Sequence, residues 1–469
     1  MSVKATPVAG FAVSMPIIIV GAGAAGLCAA LSAREAGADV LVLERDSLPR
    51  GSTALSAGLI PAAGTSFQQS VGIEDSAGRF AADIRRKARG EPDLAIVDMI
   101  ARESGKTVEW LADRHGLPFS LVHDFDYPGH SVRRMHGLLS RSGAELIDRL
   151  RAAAEREAIP IVVNATVIGL FCDAQRVIRG VEITRPDGTH DCIGCEALIL
   201  ACNGYGGAAE LVARYIPEMR SAHYFGHPGN RGDAVLWGQE LGAKLLYMSG
   251  YQGHGSVAHP HGVLITWAVI TAGGFQVNAL GQRFADESRG YSEQAAIVLA
   301  QPEGKAFDIF DERIAAIARQ FEDFRQAETM GAVIEAMTMA QLAEKLKLSS
   351  SALTESFEQV EALKRSGGQD RFGRLFAGQP RLSPPFKAVQ VTGALFHTQG
   401  GLAVDEKARV LDEGGAHFPN LFAAGGAAAG ISGSLASGYL SGNGLLTATV
   451  LGRIAGRSAA DLTRQTMRE

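Results

Sequence analysis

Residues 17–26 read Ile17-Ile18-Ile19-Val20-Gly21-Ala22-Gly23-Ala24-Ala25-Gly26, and this stretch decides the fold. Four β-branched residues in a row form a buried strand. They run without a break into a Gly-x-Gly-x-x-Gly turn and then into the helix-forming Leu27-Cys28-Ala29-Ala30-Leu31. About a dozen residues further on, Val40-Leu41-Val42-Leu43 is a second buried strand, and it ends in Glu44. Strand, glycine turn, helix and strand make a βαβ unit of the dinucleotide-binding type. Gly21 permits the sharp turn, Gly23 lets the backbone approach a pyrophosphate, and Gly26 lets helix and strand pack closely. The unpaired N–H groups of the helix start, at Ala24 and Ala25, face the phosphates. Glu44 is placed to accept hydrogen bonds from ribose hydroxyls, with Arg45 beside it.

No second Gly-x-Gly-x-x-Gly follows a strand, so a separate nicotinamide domain is not expected. Instead come a helix from about Gly143 to Glu157, a strand near Ile161 to Val163 and a hairpin turning at Pro186-Asp187-Gly188. A strand from Ala197 to Ala201 ends in Asn203-Gly204, which, with Gly58 and the Gly425-Gly426 pair below, is expected at the cofactor. Near the C-terminus Leu421-Phe422-Ala423-Ala424 opens into Gly425-Gly426, followed by a helix from about Gly444 to Gly456. A single nucleotide fold completed by the far end of the chain suits a flavin. Between the halves, Phe307, Phe310, Ile314, Ile317, Phe321 and Phe324 recur at helical spacing and read as core. Thr338 to Gln341 looks like a capping box. The expected architecture is α/β, a discontinuous Rossmann-like FAD-binding domain over residues 1–249 and 384–469. An α+β capping or substrate domain is inserted at 250–383.

Composition bounds the function. The 469 residues are 46% hydrophobic and 20% charged, which excludes a disordered or fibrous chain. Glycine, at 56 residues, is about 12% of the chain against a usual value of about 7%, implying many turns and close approaches to an extended ligand. The net charge of −5 comes without a basic block, so neither nucleic acid nor an anionic membrane surface is expected as partner. Five irregularly spaced cysteines point to a reducing compartment. Cys192 and Cys195 form a Cys-x-x-Cys with no second pair and no following His, so they read as small apolar strand residues and not as a metal or haem site. The N-terminus has no twin Arg and no small-residue cleavage pattern. No apolar run approaches the roughly 20 residues of a membrane span. The expectation is a cytoplasmic protein without stable membrane insertion.

Further motifs narrow the class: Gly51-Ser52-Thr53-Ala54-Leu55-Ser56-Ala57-Gly58, Gly229-Asn230-Arg231-Gly232-Asp233, Arg283-Phe284-Ala285-Asp286-Glu287-Ser288, His397-Thr398-Gln399-Gly400-Gly401 and Ser441-Gly442-Asn443. With the glycine turn and Glu44, they make nearly the whole chain resemble the fumarate reductase and succinate dehydrogenase flavoprotein family, closer to its 3-ketosteroid Δ1-dehydrogenase branch. The resemblance implies FAD, with Gly51 to Ala57 beside the pyrophosphate and isoalloxazine and Asp233 near the ring system. Gly442 and Asn443 would lie at the pyrimidine edge and Val167 near adenine. Gly426 stands where many members carry an acid for the ribitol. Gly51 to Ala54 lack the His to which some members attach the flavin, which implies noncovalent FAD.

Where carboxylate-reducing members carry His, Thr-Glu, a proton-supplying Arg, His and a substrate-gripping Arg, this chain reads His254, Thr266-Trp267, Tyr291, His397 and Tyr439. Two permanent cations suited to a dicarboxylate are thereby replaced by phenols. The ketosteroid branch has tyrosines at both places, so the resemblance implies that Tyr439 polarises a ketone while Tyr291 helps remove the α-proton. Hydride then leaves the β-carbon for flavin N5. His254 or His397 would relay a proton or anchor substrate, and Tyr127 is a candidate second phenol in proton removal. An unperturbed tyrosine costs about 4 kcal/mol to ionise at pH 7, so a base role needs a lowered pKa or a relay. Arg133, Arg134 and Arg289 read as solvated surface arginines, with a substrate carboxylate as the alternative partner. The reaction so implied is desaturation of a cyclic ketone or ketoacid, with a small-molecule substrate and an external electron acceptor. Reduction of a conjugated carboxylate and a flavin protein without turnover are the other readings.

Overall fold

The computed structural model describes residues 2–123 and 126–466. The strand Val13–Val20 lies between Val40–Leu43 and the long strand His190–Leu200, parallel to both. Ile161–Val162 extends the sheet on one side and His417–Ala423 joins parallel to His190–Leu200 on the other. Ile17, Ile18 and Ile19 are completely buried, because helices cover both faces of a parallel sheet. The first half of His190–Leu200 instead pairs antiparallel with Ile178–Thr184, closing the hairpin at residues 186–188. The helix Ala24–Glu35 packs against the C-terminal helix Asn443–Thr466, which runs beyond the Gly456 expected as its end. The two helices meet through glycine. A Cβ at Gly452 would lie 2.4 Å from the Ala25 carbonyl oxygen, and one at Gly456 only 2.0 Å from that of Ala29.

A second sheet is ordered Val263–Leu264, Tyr251–Ala258, Phe386–Thr398, Lys305–Asp311, Phe275–Asn278, and has its own hydrophobic core. Helices Glu312–Ala318, Glu322–Thr329, Met339–Leu346 and Ser350–Ser366 surround it. These separate cores are the basis on which we propose an inserted cap. Phe307 and Phe310 belong to a strand, not to the expected helix: Lys305–Asp311 is sandwiched between two other strands. It is buried on both faces, so apolar residues three apart mimic a helical stripe. Thr338 is the expected N-cap, its Oγ1 accepting from the Gln341 N–H at 3.2 Å. Cys192 and Cys195 are free thiols on one strand, Cys192 exposed and Cys195 buried, as three-residue spacing on a pleated strand requires. Among the described residues no helix is long and apolar enough to cross a membrane, and no His, Cys, Asp and Glu cluster could hold a metal ion.

Arg134 departs from the surface reading. It is fully buried, donating through Nε and Nη2 to Asp75 at 2.9 and 3.0 Å and through Nη1 to Asp83 at 2.6 Å. Burial pushes the Asp83 carboxyl up, but hydrogen bonds from Ser131, Arg134 and Arg86 outweigh it and hold the pKa at about 2. Arg133 and Arg289 are exposed and paired with Asp126 and Asp286. None of the three reaches the cavity described next.

Candidate active site

One cavity runs from the glycine turn to the second sheet. Its wall contains Gly21, Gly23, Ala24, Ala25, Glu44, Arg45, Gly51, Ser52, Thr53, Ser56, Ala57, Val167, Asn203, Asp233, Gly425, Gly426 and Gly442 at the nucleotide end. Tyr127, His254, Thr266, Trp267, Tyr291, His397 and Tyr439 line the same cavity. Five residues expected at the cofactor do not form its wall, namely Gly26, Ala54, Gly58, Gly204 and Asn443. A Cβ at Gly26 would lie 1.8 Å from the Gly21 carbonyl oxygen and one at Gly204 2.1 Å from Thr398 Oγ1, so both permit close packing behind the wall. Gly58, at φ +65°, passes the Ser142 backbone, and Ala54 packs against the first core. Asn443 is completely buried, its Nδ2 donating to Ser432 Oγ at 3.2 Å.

The nucleotide end has the features of a dinucleotide cradle. Gly21 has φ +104°, and the helix that follows starts at Gly23 with no side-chain cap, leaving N–H donors for an anion. Glu44 Oε2 accepts from the Ala22 N–H at 2.8 Å, which fixes the carboxylate at the turn; the Ala24 N–H, expected to be unpaired, instead donates to Thr53 Oγ1 at 3.1 Å, so Ala25 is the helix-start donor left for a phosphate. Asp233 Oδ1, on the cavity wall, is buried without a hydrogen-bond partner. Such an orphaned acceptor is costly unless a ligand with N–H or O–H groups fills the site. The residues present fit a dinucleotide with ribose hydroxyls and a polar ring edge.

At the other end the wall is aromatic. His254 comes from Tyr251–Ala258 and His397 from its antiparallel neighbour Phe386–Thr398. The register jumps between Gln252↔His397 and Gly253↔Leu395, leaving Phe396 as the extra residue of a β-bulge. Consecutive strand residues ordinarily face opposite ways, yet Phe396 and His397 both line the cavity. Tyr291 opens the helix Tyr291–Leu299, and Tyr439 follows the short helical turn Ala436–Gly438, four residues before the helix Asn443–Thr466. The His254 and Tyr291 rings stack, centroids 4.8 Å apart and planes 21° apart, with Trp267 edge-on to His254. Tyr291 and Tyr439 are 6.2 Å apart, and Tyr439 meets His397 edge-on at 5.7 Å. Gly444 lets His397 approach, since a Cβ there would lie 2.5 Å from Nε2.

Hydrogen bonds fix the protonation pattern. His254 Nδ1 accepts from the Ser256 N–H at 3.1 Å, so its proton is on Nε2. His397 donates from Nδ1 to the Thr398 carbonyl at 3.0 Å, and its Nε2 lies 3.2 Å from the Gln399 amide nitrogen. Burial pushes His254 down to about 3 and His397 to about 4, so both are neutral at pH 7. Tyr439 Oη accepts from the Gly444 N–H at 3.2 Å, at the start of the C-terminal helix. Burial nevertheless raises Tyr291 and Tyr439 above the usual phenol range. Hydrogen bonds from Ser441 and Gly442 to Tyr291, and from Gly444 and Gly442 to Tyr439, oppose it only in part. Tyr127 is raised as well, by burial and then by the charge of Tyr291. The base role set out from sequence therefore has burial against it and the helix N-terminus for it.

The buried histidines give a stability prediction. His136, completely buried, is also pushed down, to about 4. All three ordinarily titrate at 6.5, so the unfolded chain binds protons that the folded one refuses. Their contribution is complete above pH 6.5 and is lost as pH falls toward 4 and 3. At pH 5.5 His136 and His254 each cost up to about 1 kcal/mol, and His397, less buried than either, costs less. A thermal melt series should give a flat Tm above pH 6.5 and a steep fall below it, reduced in His136→Gln.

This is the site of a flavoprotein, with a dinucleotide cradle opening onto an aromatic reaction chamber. The family model described as FAD binding domain matches residues 16–445. A probable fumarate reductase of Shewanella frigidimarina is 30% identical over 444 residues, covering 95% of this chain and 74% of that protein. The open conformation of a flavocytochrome c3 fumarate reductase superposes with a TM-score of 0.81 at 30% identity, covering 97% of this chain and 79% of that one. The 3-ketosteroid-Δ4-(5α)-dehydrogenase of Rhodococcus jostii, in complex with 4-androstene-3,17-dione, gives 0.77 at 25% identity, covering 98% and 99%. The chain belongs to the FAD-binding-domain family of flavoprotein oxidoreductases that contains the fumarate reductases, and its cofactor is FAD.

The sequence reading names none of Phe225, Phe396 and Asp323 and takes Phe321 for core, yet all four line the cavity. Phe396 depends on a bulge that no local pattern announces. Phe321 was read as core; it packs with Leu59, Val122, Met135 and Ala268 but also presents to the cavity.

Proposed function

We propose that the protein is an FAD-dependent dehydrogenase that introduces a C=C bond next to the carbonyl of a cyclic ketone, passing its electrons to an external acceptor. The observation that carries this reading is electrostatic. Among the described residues lining the cavity the one permanent cation is Arg45, whose Nη1 donates to the Gly229 carbonyl at 2.6 Å at the nucleotide end. The aromatic end holds phenols and neutral imidazoles. A dicarboxylate would enter it with no partner for either charge, whereas a ketone needs only hydrogen-bond donors.

FAD, which we infer is held noncovalently, supplies the two-electron acceptor for the hydride that leaves the β-carbon. Tyr439, its oxygen already accepting from the Gly444 N–H, donates its hydroxyl proton to the ketone oxygen and favours enolate character at the α-carbon. Tyr291 receives the α-proton. Ser441 and the Gly442 N–H stabilise the phenolate this requires. His254, stacked on Tyr291 with a proton on Nε2, donates at the chamber wall, and His397 holds Tyr439 edge-on. Thr266, Trp267 and Tyr127 complete the substrate wall.

A ketoacid such as an oxocyclohexanecarboxylate is the less favoured member of this substrate class, because no cation waits for its carboxylate. Reduction of a conjugated carboxylate is the second reading, favoured by the 30% identity to a fumarate reductase. Steady-state assays separate the two. Cyclic ketones should reduce a redox dye in the presence of enzyme and yield the α,β-unsaturated ketone. Oxidation of reduced dye by fumarate or a related enoate, with no ketone turned over, would replace the first reading by the second.

A further inference from the structure

Asp323 is the one acid at the aromatic end of the cavity wall among the described residues. It lies in the first turn of the helix Glu322–Thr329, two residues after Phe321. Phe321 belongs to an apolar cluster with Leu59, Val122, Met135 and Ala268, whereas Tyr291 and Tyr439 belong to another with Trp267 and Ile270. The acid therefore stands beside the cluster against which Tyr127 packs, and not beside the one that holds Tyr291 and Tyr439. Among the described residues no hydrogen bond or ion pair satisfies it. The charges that reach it are Glu322 and Arg325, and the Arg325 guanidinium donates to the Arg319 carbonyl at 2.5 Å. A half-buried carboxylate left unpaired in a ligand cavity is costly in the free protein and is satisfied by a ligand that brings a donor.

We propose that Asp323 is a specificity-determining residue that receives a hydrogen-bond donor, a hydroxyl or an ammonium group, at the end of the substrate remote from the reacting ketone. The inference rests on the ketone reading above and narrows its substrate class. A ketone ending in a hydroxyl or ammonium completes the carboxylate's hydrogen bonding. One ending in a second carbonyl leaves it unpaired, and one ending in a carboxylate meets it as a like charge. Burial, then Glu322, raises the Asp323 pKa to about 6, so the group is mostly ionised at pH 7 and acts as an acceptor.

The test uses the flavin-loaded protein and two ligand series. One comprises saturated 3-ketosteroids with a 17-hydroxyl or a 17-oxo group. The other comprises cyclohexanones with a 4-hydroxymethyl, 4-aminomethyl or 4-carboxylate group. Dissociation constants are read from the perturbation of the flavin spectrum and kcat/KM from dye reduction, in wild type, Asp323→Asn and Asp323→Leu, with flavin content and Tm as folding controls. In at least one series the donor-bearing ligand should be preferred by about tenfold to a hundredfold. Asp323→Leu should erase that preference. Asp323→Asn, which keeps the shape, should retain part of it for a hydroxyl, lose it for an ammonium and bind the carboxylate better than wild type does. Which donor is preferred in wild type identifies the group. Equal preferences in all three proteins, with ketones bound and turned over, would overturn this role of Asp323 and leave the ketone reading standing. No ketone bound or oxidised by any of them would overturn both.

Discussion

Tyr439→Phe and Tyr291→Phe should each retain yellow, folded protein and lose turnover of cyclic ketones by about a hundredfold to ten-thousandfold, the usual span for a positioned proton donor or acceptor. Only a hydroxyl is removed, and the rings keep their contacts with each other, His254 and His397. The two variants should differ in pH dependence. Burial raises the Tyr291 phenol above its ordinary range, so the proton-accepting form is scarce at neutral pH and grows up to tenfold for each unit of pH below that raised value. Wild-type kcat should therefore climb toward alkaline pH, and the climb should be absent in Tyr291→Phe. Tyr439→Phe should keep the climb on a lowered rate, because the ketone loses a donor while the base remains. Near-full activity in both variants would remove the phenols from the chemistry.

Gly26→Ala should give a protein without flavin. The added methyl carbon would lie 1.8 Å from the Gly21 carbonyl oxygen, a backbone atom of the very turn that faces the pyrophosphate. Neither partner can rotate away, so the turn opens or the helix shifts. We expect a loss of about 3 kcal/mol or more in stability together with loss of the bound chromophore. Gly78→Ala is the matched control, since nothing lies within 4 Å of its Cβ in the helix Ala77–Lys87, and it should be neutral or slightly stabilising. Flavin absorbance per protein after purification, read beside a denaturant melt, checks both.

The nucleotide half was legible because its signals are local. A β-branched run, a glycine turn, an apolar helix and an acid at the next strand end are adjacent in sequence, and each has its own physical reason. The cap was harder. Phe307 and Phe310 occupy a strand buried on both faces, where period two and period 3.6 cannot be told apart over so short a span. Arg134 looked like a surface residue because Asp75 and Asp83, its buried partners, lie more than fifty residues earlier in the chain. The chamber was reached through resemblance, residue by residue. That route led to Tyr291, Tyr439, His254 and His397, which line the cavity, but was blind to Phe396, which a β-bulge turns inward, and to Asp323, which no motif marks.

The reduction of the bound flavin by substrate, followed anaerobically through its yellow absorbance band, tests the central claim most directly. Titration with a saturated cyclic ketone should bleach the band in proportion to the ketone added and yield the conjugated enone, while succinate leaves the band unchanged. Bleaching by succinate, or reoxidation of the reduced protein by fumarate with no response to any ketone, would contradict the account.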